Sequence, residues 1–254
     1  MAIASTDLVA YRAVNRPKTD AATVGGAIDI LRYHDFTQLA ANDTIYVQSS
    51  SGSDSGNITV EARDAAGVLV TQTIAINGVT GVNLSSLGTV ERILDVEMAA
   101  GAVGTVTVGR GTISSKGAAV RTIPPGKRGF GILFYDSIST TSQRVVTEKT
   151  FWRNEHGSLA LTNAKTRIVT GGDPAGVMKT ALEDAKGDAS TLTNRLTSNA
   201  GLGLTFVDDN VQQDVPANFL GASENVGMWV EMTLAANNAP IRSTVTLELS
   251  GASA

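Results

Sequence analysis

Along much of the chain apolar and polar residues alternate with a period of two, the spacing at which successive side chains of a β-strand point to opposite faces. Asn57–Arg63 sets Ile58 and Val60 on one side and Thr59 and Glu61 on the other. In Val68–Ile76 the residues Val68, Val70, Gln72, Ile74 and Ile76 share one parity, and Val245, Leu247 and Leu249 alternate with Thr244, Thr246 and Glu248. The same reading predicts strands in Ala27–Phe36, Asp43–Gln48, Thr89–Met98, Ala102–Arg110, Phe130–Tyr135, Arg144–Trp152, Ser158–Leu161, Thr166–Thr170, Gly203–Asp208, Val226–Ala235 and Ile241–Leu249. Val177–Lys186 fits two periods: Met178, Ala181, Leu182 and Ala185 have helical spacing, while Met178, Thr180 and Leu182 fit a strand face. The β register around it favours strand.

Turn residues punctuate these segments at 40–43 (Ala-Ala-Asn-Asp), Asp64–Gly67 and Ala100-Gly101. Asn77-Gly78 predicts a two-residue hairpin, because a type I′ turn needs positive φ at both central positions. The SSSGSDSG run over Ser49–Gly56 reads as a flexible loop by composition. Turn signals at intervals of roughly 8–12 residues predict antiparallel sandwiches. The expected fold class is therefore all-β: two tandem antiparallel β-sandwich domains, immunoglobulin-like or jelly-roll-like, with an extended N-terminal arm. The arm is placed at 1–26, which contains Arg16-Pro17-Lys18 and Gly25-Gly26 but no sustained period. The first sandwich follows at 27–115. A linker and basic turn occupy 116–128, because Pro124 and Pro125 cannot donate ladder bonds, and the second sandwich spans 129–254.

Composition agrees with this picture and removes several chemistries. A chain of 254 residues with 26 glycines and 17% charged residues suits many short strands joined by tight turns. Domains of this size fold without staples, and the absence of cysteine excludes disulfides, thiolate metal sites and cysteine nucleophiles. Met1–Tyr11 lacks the pattern of a signal peptide, and no apolar run approaches the roughly 18 residues of a membrane helix. Synthesis in the cytoplasm and no membrane partner are expected, and the N-x-Ser/Thr triplets at Asn42, Asn57 and Asn83 then read as strand and turn sequence.

The net charge of −4 argues against direct nucleic-acid binding. Its distribution is uneven. Between 116 and 153 stand Lys116, Arg121, Lys127, Arg128, Arg144, Lys149 and Arg153 against only Asp136 and Glu148. That basic stretch reads either as a solvated face with nothing docked on it or as a surface that meets an acidic protein partner.

No motif points to catalysis. His34 and His156 are far apart and form neither H-x-H nor H-x-x-x-H, so no metal site is expected. Gly52-Ser53-Asp54-Ser55-Gly56 has Asp where a nucleophile elbow needs Ser. Gly126-Lys127-Arg128-Gly129-Phe130-Gly131 lacks the spacing and the helix of a phosphate-binding loop and reads as a rigid basic turn. Asp208-Asp209, Asp214, Glu183-Asp184 and Asp188 read as solvated turn carboxylates, and Trp152 and Trp229 as strand residues packed in a core. No cofactor is expected.

Two regions resemble virion proteins of tailed bacteriophages. Ile58-Thr-Val-Glu-Ala-Arg-Asp-Ala-Ala-Gly67 with Val70-Thr-Gln-Thr-Ile74, Asn77-Gly78, Val90-Glu-Arg-Ile-Leu94 and Gly104-Thr-Val-Thr-Val-Gly109 is similar to a sandwich repeat of phage head, tail and baseplate components. Ile123-Pro-Pro-Gly-Lys-Arg-Gly-Phe130 with Leu133-Phe-Tyr135, Glu148-Lys-Thr-Phe-Trp-Arg-Asn154 and Val230-Glu-Met-Thr-Leu234 is similar to the distal half of such proteins. The resemblance implies a non-enzymatic virion component and brings no catalytic residue with it. The leading expectation is a capsid decoration or cement protein that binds across major-capsid subunits and self-associates. Its contact residues would be Arg16 and Lys18 in the arm and Arg121, Pro124, Pro125, Lys127 and Arg128 in the basic turn. A tail, neck or baseplate adaptor is the alternative. A carbohydrate- or receptor-binding module would show exposed aromatics at loop tips, for which Phe36, Tyr135 and Phe219 are the candidates. A hydrolase on a β scaffold stands last.

Overall fold

A computed structural model describes residues 2–16, 18–134, 142–170, 178–236 and 245–254. Among these the fold is all-β, without an α-helix. In chain order the strands are β1 (Leu8–Asn15), β2 (Val24–His34), β3 (Ile45–Ser49), β4 (Asn57–Asp64), β5 (Leu69–Ala75), β6 (Val82–Asn83), β7 (Val90–Met98), β8 (Val106–Thr112), β9 (Ser115–Ile123) and β10 (Gly129–Gly131). They continue with β11 (Arg144–Asn154), β12 (Leu161–Thr170), β13 (Met178–Leu182), β14 (Thr191–Leu192), β15 (Val207–Asp208), β16 (Gln213–Asp214), β17 (Phe219–Leu220), β18 (Asn225–Leu234) and β19 (Val245–Ser253). No helix of the described residues is long and apolar enough to cross a membrane.

The chain divides into two compact units, Ile30–Tyr135 and Met1–Asp29 with Asp136–Ala254. The Ile30–Tyr135 unit is a sandwich. One sheet runs from the end of β2 through β10, β7 and β4 to β5, and the other has the order β6-β3-β8-β9. Ile58, Val60, Ile93, Val96 and Phe130 of the first sheet pack with Ile45, Val47, Val106, Val108 and Ile123 of the second. β5 shows the simplest consequence: Val70 and Ile74 face this core while Leu69, Thr71, Thr73 and Ala75 face out.

The second unit sets β15-β13-β18-β11-β1, with the start of β2, in one sheet and β16-β12-β17 with β19 in another. Trp152, Leu161, Ala164, Val215, Leu220 and Val226 fill the space between these sheets. The opposite face of the larger sheet is covered as well: Val24, Leu192 and Trp229 cluster there under Leu202, Leu204 and Phe206. Every residue of β11 from Val146 to Trp152 is therefore buried, as is every residue of β18 from Val226 to Val230.

Several sequence expectations change. The segment 1–26 is not an arm: β1 pairs antiparallel with β11 from Leu8↔Asn154 to Arg12↔Thr150. Its period was invisible because both of its faces are covered, Leu8 and Ala10 packing on one core while Tyr11 and Ala13 are buried. The segment 116–128 is not a linker: β9 pairs with β8 from Val106↔Ile123 to Thr112↔Ser115, and only Pro124–Arg128 forms a turn. The first sandwich thus continues through 115–131, and the second unit includes the N-terminus.

Asn77-Gly78 does not close a hairpin. β5 pairs with β4 while β6 pairs with β3, so the turn passes the chain from one sheet to the other. Only Gly78 has positive φ, 44°, and a side chain there would meet the Gly52 backbone at 2.8 Å. The two predicted strands Ser158–Leu161 and Thr166–Thr170 are replaced by the single strand β12, irregular in its pairing with β19 between Thr162 and Lys165. The ambiguous segment is strand over Met178–Leu182, held by β18 and β15. Pro17, Tyr135, Asp136, Val177 and residues 241–244 of the last predicted strand lie outside the described residues.

Candidate functional site

The residues expected to contact a partner occupy unlike places. Arg16 is half-buried and Lys18 exposed, after β1. Pro124 and Pro125 are exposed on a turn pinned by backbone bonds from Gly126 to Ala102 (2.7 Å) and from Ala102 to Lys127 (2.8 Å). Lys127 and Arg128 are half-buried beside it. The Lys127 Nζ donates to the Ile30 carbonyl (2.9 Å), and Arg128 donates to the Met98 carbonyl (3.1 Å) and to Glu97 (3.5 Å). The turn is thus rigid and its cations are partly engaged.

Arg121 is a correction. It is 3% exposed, points from β9 into the sandwich, donates to the carbonyls of Thr37 and Ile93 and lies 3.8 Å from Asp35. Its guanidinium stacks 4.9 Å above the Phe130 ring. Burial pulls it down to about 10, against the pull of Asp35. Tyr33, which donates to the Thr122 carbonyl, is held above the usual phenol range by burial and by Asp35. Arg121 is therefore a core residue and not a surface anchor.

The basic character of 116–153 dissolves for the same reason. Arg144 pairs with Asp20, Lys149 with Glu183 (2.7 Å) and Arg153 with Glu155 (3.0 Å). Two of these charges are neutralised by acids brought from distant segments, Asp20 and Glu183, and the third by its near neighbour Glu155. Lys116, exposed, remains on the surface, donating to Gln48 (2.7 Å).

The densest chemistry lies where none was expected. Lys149 projects from β11 toward Trp229 directly opposite on β18, and its side chain has no exposed surface. Its Nζ faces Glu183 Oε1 at 2.7 Å, Ser190 Oγ at 3.1 Å, the Asp188 carbonyl at 3.2 Å and Asp188 Oδ1 at 3.5 Å. It also sits over the rings of Phe151 (5.0 Å) and Trp229 (5.2 Å). The same Glu183 oxygen accepts from Trp229 Nε1 (2.6 Å) and from the Ser190 hydroxyl. Burial acts to raise the Asp188 carboxyl, but the Ser190 N–H and hydroxyl and Lys149 bring it below its ordinary value.

Two glycines make room for this centre. A side chain at Gly227 would meet Lys149 Cε at 2.8 Å and Glu183 Cγ at 2.9 Å. At Gly25, with φ of 90°, it would meet the Trp229 ring at 2.5 Å. Beside the centre, buried Arg195 bonds Asp20 (2.9 Å) and approaches Glu148 (3.5 Å), while its carbonyl takes the Thr147 N–H (2.8 Å) where β1 no longer runs alongside β11.

Lysine, serine and acid together invite a nucleophilic reading, which the bonding opposes. A serine nucleophile needs a base that receives its proton. Here the acceptor of the Ser190 hydroxyl is Glu183, but the same carboxylate oxygen is already taken by the Lys149 ammonium and by Trp229 Nε1. Lys149 is itself a donor toward carboxylates, a hydroxyl and carbonyls, so neither group is left to draw the proton off. The arrangement can fasten the chain after Glu183 to the sheet. Glu183 itself, expected as a solvated turn carboxylate, is 5% exposed.

No protein-family model matches the chain, and neither does any curated protein. Among solved structures, the crystal structure of the infectious bursal disease virus VP2 subviral particle aligns over 100% of this chain and 71% of that one, at 10% identity and a TM-score of 0.18. A likeness that weak carries no argument about fold or function.

The remaining candidates fall to local structure. His34 is buried, bonds the Gly131 carbonyl (3.1 Å) and stacks on Phe36. His156 lies in a turn outside any strand, and its Nδ1 accepts the N–H groups of Ser158 (3.1 Å) and Leu159 (2.9 Å). Among the described residues no group of three or more histidines and acids is placed to hold a metal ion. Phe36 is half-buried, Phe219 is 37% exposed under the Lys186 ammonium (3.5 Å), and Tyr135 lies outside the described residues.

The loop predicted to be flexible is organised around Asp54. That side chain is 3% exposed and accepts from the Ser49 hydroxyl (2.5 Å) and the N–H groups of Val103 (2.8 Å) and Gly104 (3.0 Å). Burial would raise its carboxyl, and these donors bring it below the ordinary value instead. A run of small polar residues carried no sign of which one would be swallowed.

Proposed function

We propose that the protein is a non-enzymatic structural component of a tailed-phage particle, a decoration or cement protein that binds across major-capsid subunits. The sequence resemblance supplies the setting. The observation that carries the reading is that part of the polarity is enclosed while some large aliphatic side chains are left at the surface. Lys149, Glu183, Arg195, Arg121 and Asp54 are spent inside on one another and on backbone. Large aliphatic side chains are left outside, among them Val68 (58% exposed), Leu69 (49%), Val79 (55%) and Val103 (60%). A surface of that kind suits contact with other subunits more than turnover of a solute.

Binding that occurs only on the assembled shell stabilises the shell by mass action. Adding the purified protein to shells stripped of it is expected to raise their thermal or chemical disruption midpoint, saturably with concentration. Mass spectrometry of particles is expected to count copies on the order of hundreds, as shell symmetry requires. A count of a few to a few tens places the protein in the tail, neck or baseplate instead. Absence from purified particles overturns the reading.

A further inference from the structure

From Ala65 to Val90 no residue carries a charge. At the heart of that stretch β5 ends its sheet. Its pairing with β4 is regular from Asn57↔Ala75 to Arg63↔Leu69, without a bulge. Edge strands of soluble proteins are ordinarily protected by lysine, proline, bulges or brevity. β5 has seven residues, Leu-Val-Thr-Gln-Thr-Ile-Ala, and none of these defences; the 3-10 turn Ser85–Leu87 packs against it, where Ser86 N–H donates to the Gln72 side chain (2.9 Å).

The direction of its free backbone follows from two bonds that flank it. Ile76 N–H donates to Gly56 (2.9 Å) and Asp64 N–H to Val68 (3.0 Å), so pairs 56/76 and 64/68 are of the hydrogen-bonded kind. Pairs alternate in kind along an antiparallel ladder. Val70, Gln72 and Ile74 therefore bond to β4, and Leu69, Thr71, Thr73 and Ala75 turn N–H and C=O toward the open edge. On the core side, Val70 and Ile74 are only partly buried at this margin.

We propose that β5 pairs antiparallel with β5 of a second copy, about a two-fold axis at Gln72. That register gives the two strands their full overlap. Thr71 faces the partner's Thr73 and Leu69 faces the partner's Ala75, each pair exchanging both backbone bonds. Val70 faces the partner's Ile74 on the core side, which extends the half-covered apolar margin across the junction. No charge meets a charge anywhere along it, which is the complementarity that favours a second copy over a charged partner strand. The interface is isologous, as a two-fold requires.

The absence of native cysteine makes the register testable. At the axis a non-hydrogen-bonded pair brings the two Cα atoms to about 4.5 Å, within disulfide range. Gln72→Cys is expected to give a covalent dimer under mild oxidation. Thr71→Cys, which in this register faces the partner's residue 73 and not its own counterpart, is expected to give no covalent dimer under the same oxidation. Light scattering of the unmodified chain is expected to report a mass twice 26.3 kDa. The pair Thr71→Lys with Thr73→Lys sets like charges opposite one another and is expected to give monomers with an unchanged circular-dichroism spectrum. Mixing that chain with one carrying Thr71→Glu and Thr73→Glu is expected to restore a dimer of one each. A chain that is monomeric at every concentration, or a dimer that survives the lysine pair, overturns the proposal. So does equal cross-linking through positions 71 and 72. Monomers whose attachment to particles is lost in the lysine variant would assign the edge to a different protein, and would overturn it too.

Discussion

β5 and β11 are both rich in β-branched residues, and they sit in opposite surroundings. β5 closes the margin of the Ile30–Tyr135 sandwich, where exposed and half-buried positions alternate without a break. β11 runs inside a sheet covered on both faces, so Thr147, Glu148, Lys149 and Thr150 are as buried as Val146 and Phe151. Alternation is the mark of a strand that meets water on one side. A strand without that side must either become apolar throughout or match its polar groups internally, and β11 does the second at Lys149 and Thr150.

The largest test of that difference is at Lys149. Removing one member of a buried ion pair leaves the other charged and unmatched, at about 3–5 kcal/mol. Lys149→Met is expected to lower stability by that much in urea unfolding, whereas Lys149→Met combined with Glu183→Leu is expected to lower it less than the single change. The cause is that the double change leaves no Glu183 carboxylate stranded without its ammonium. A single change costing under about 1 kcal/mol would mean that the pair is solvated, against the contacts described above.

A smaller effect is expected where the backbone makes room. Gly227→Ala forces its methyl against Lys149 and Glu183, and overpacking of this kind costs about 2 kcal/mol. Gly56→Ala, in open space beside β4, is expected to change stability by less than about 0.5 kcal/mol. Equal effects of the two would show that the polar centre yields freely.

These tests mark what could be read in advance. The all-β class and most strands of the 30–135 unit were legible, because one wet face prints a period of two on Ile58–Arg63 and Val70–Ile76. β1 was not, since its two covered faces erase the period, and neither was β9, hidden by its nearness to Pro124-Pro125. The partners of Arg121 and Lys149 come from Asp35 and Glu183, distant in sequence, so a local charge count of 116–153 could not foresee that both cations are enclosed. Nothing in the spacing of Lys149, Glu183, Ser190 and Trp229 marks them as neighbours. Only pairing of β11 and β13 with β18 brings them together.

Acid sharpens the comparison further, with Asp54 standing for the 30–135 unit. Its folded-state value lies below the ordinary 3.8. The stabilisation it gives is therefore complete above that value and is lost as pH falls through the lower, folded one. Asp54→Asn is expected to remove this part of the acid sensitivity and to cost on the order of 1 kcal/mol at neutral pH, since three donors lose a charged acceptor. Urea midpoints of both chains between about pH 2 and 6 check the sign. Convergence of the two curves as pH rises, instead of as it falls, would overturn it.

The smallest effect is expected on the wet side of the second unit. Arg167 on β12 and Glu248 directly opposite on β19 make two contacts, at 2.9 and 3.1 Å, with both side chains about a third exposed. The geometry is as good as that of Lys149 with Glu183, but water screens the charges and each side chain gives up rotamer freedom to hold the pair. A double-mutant cycle of Arg167→Ala and Glu248→Ala is expected to yield a coupling of about 0.2–1 kcal/mol, diminishing as salt rises. The buried pair should keep its coupling in the same salt, because solvent ions do not enter the space between its partners. If the two pairs lost coupling in parallel, enclosure would not be what separates β11 from the strands around it.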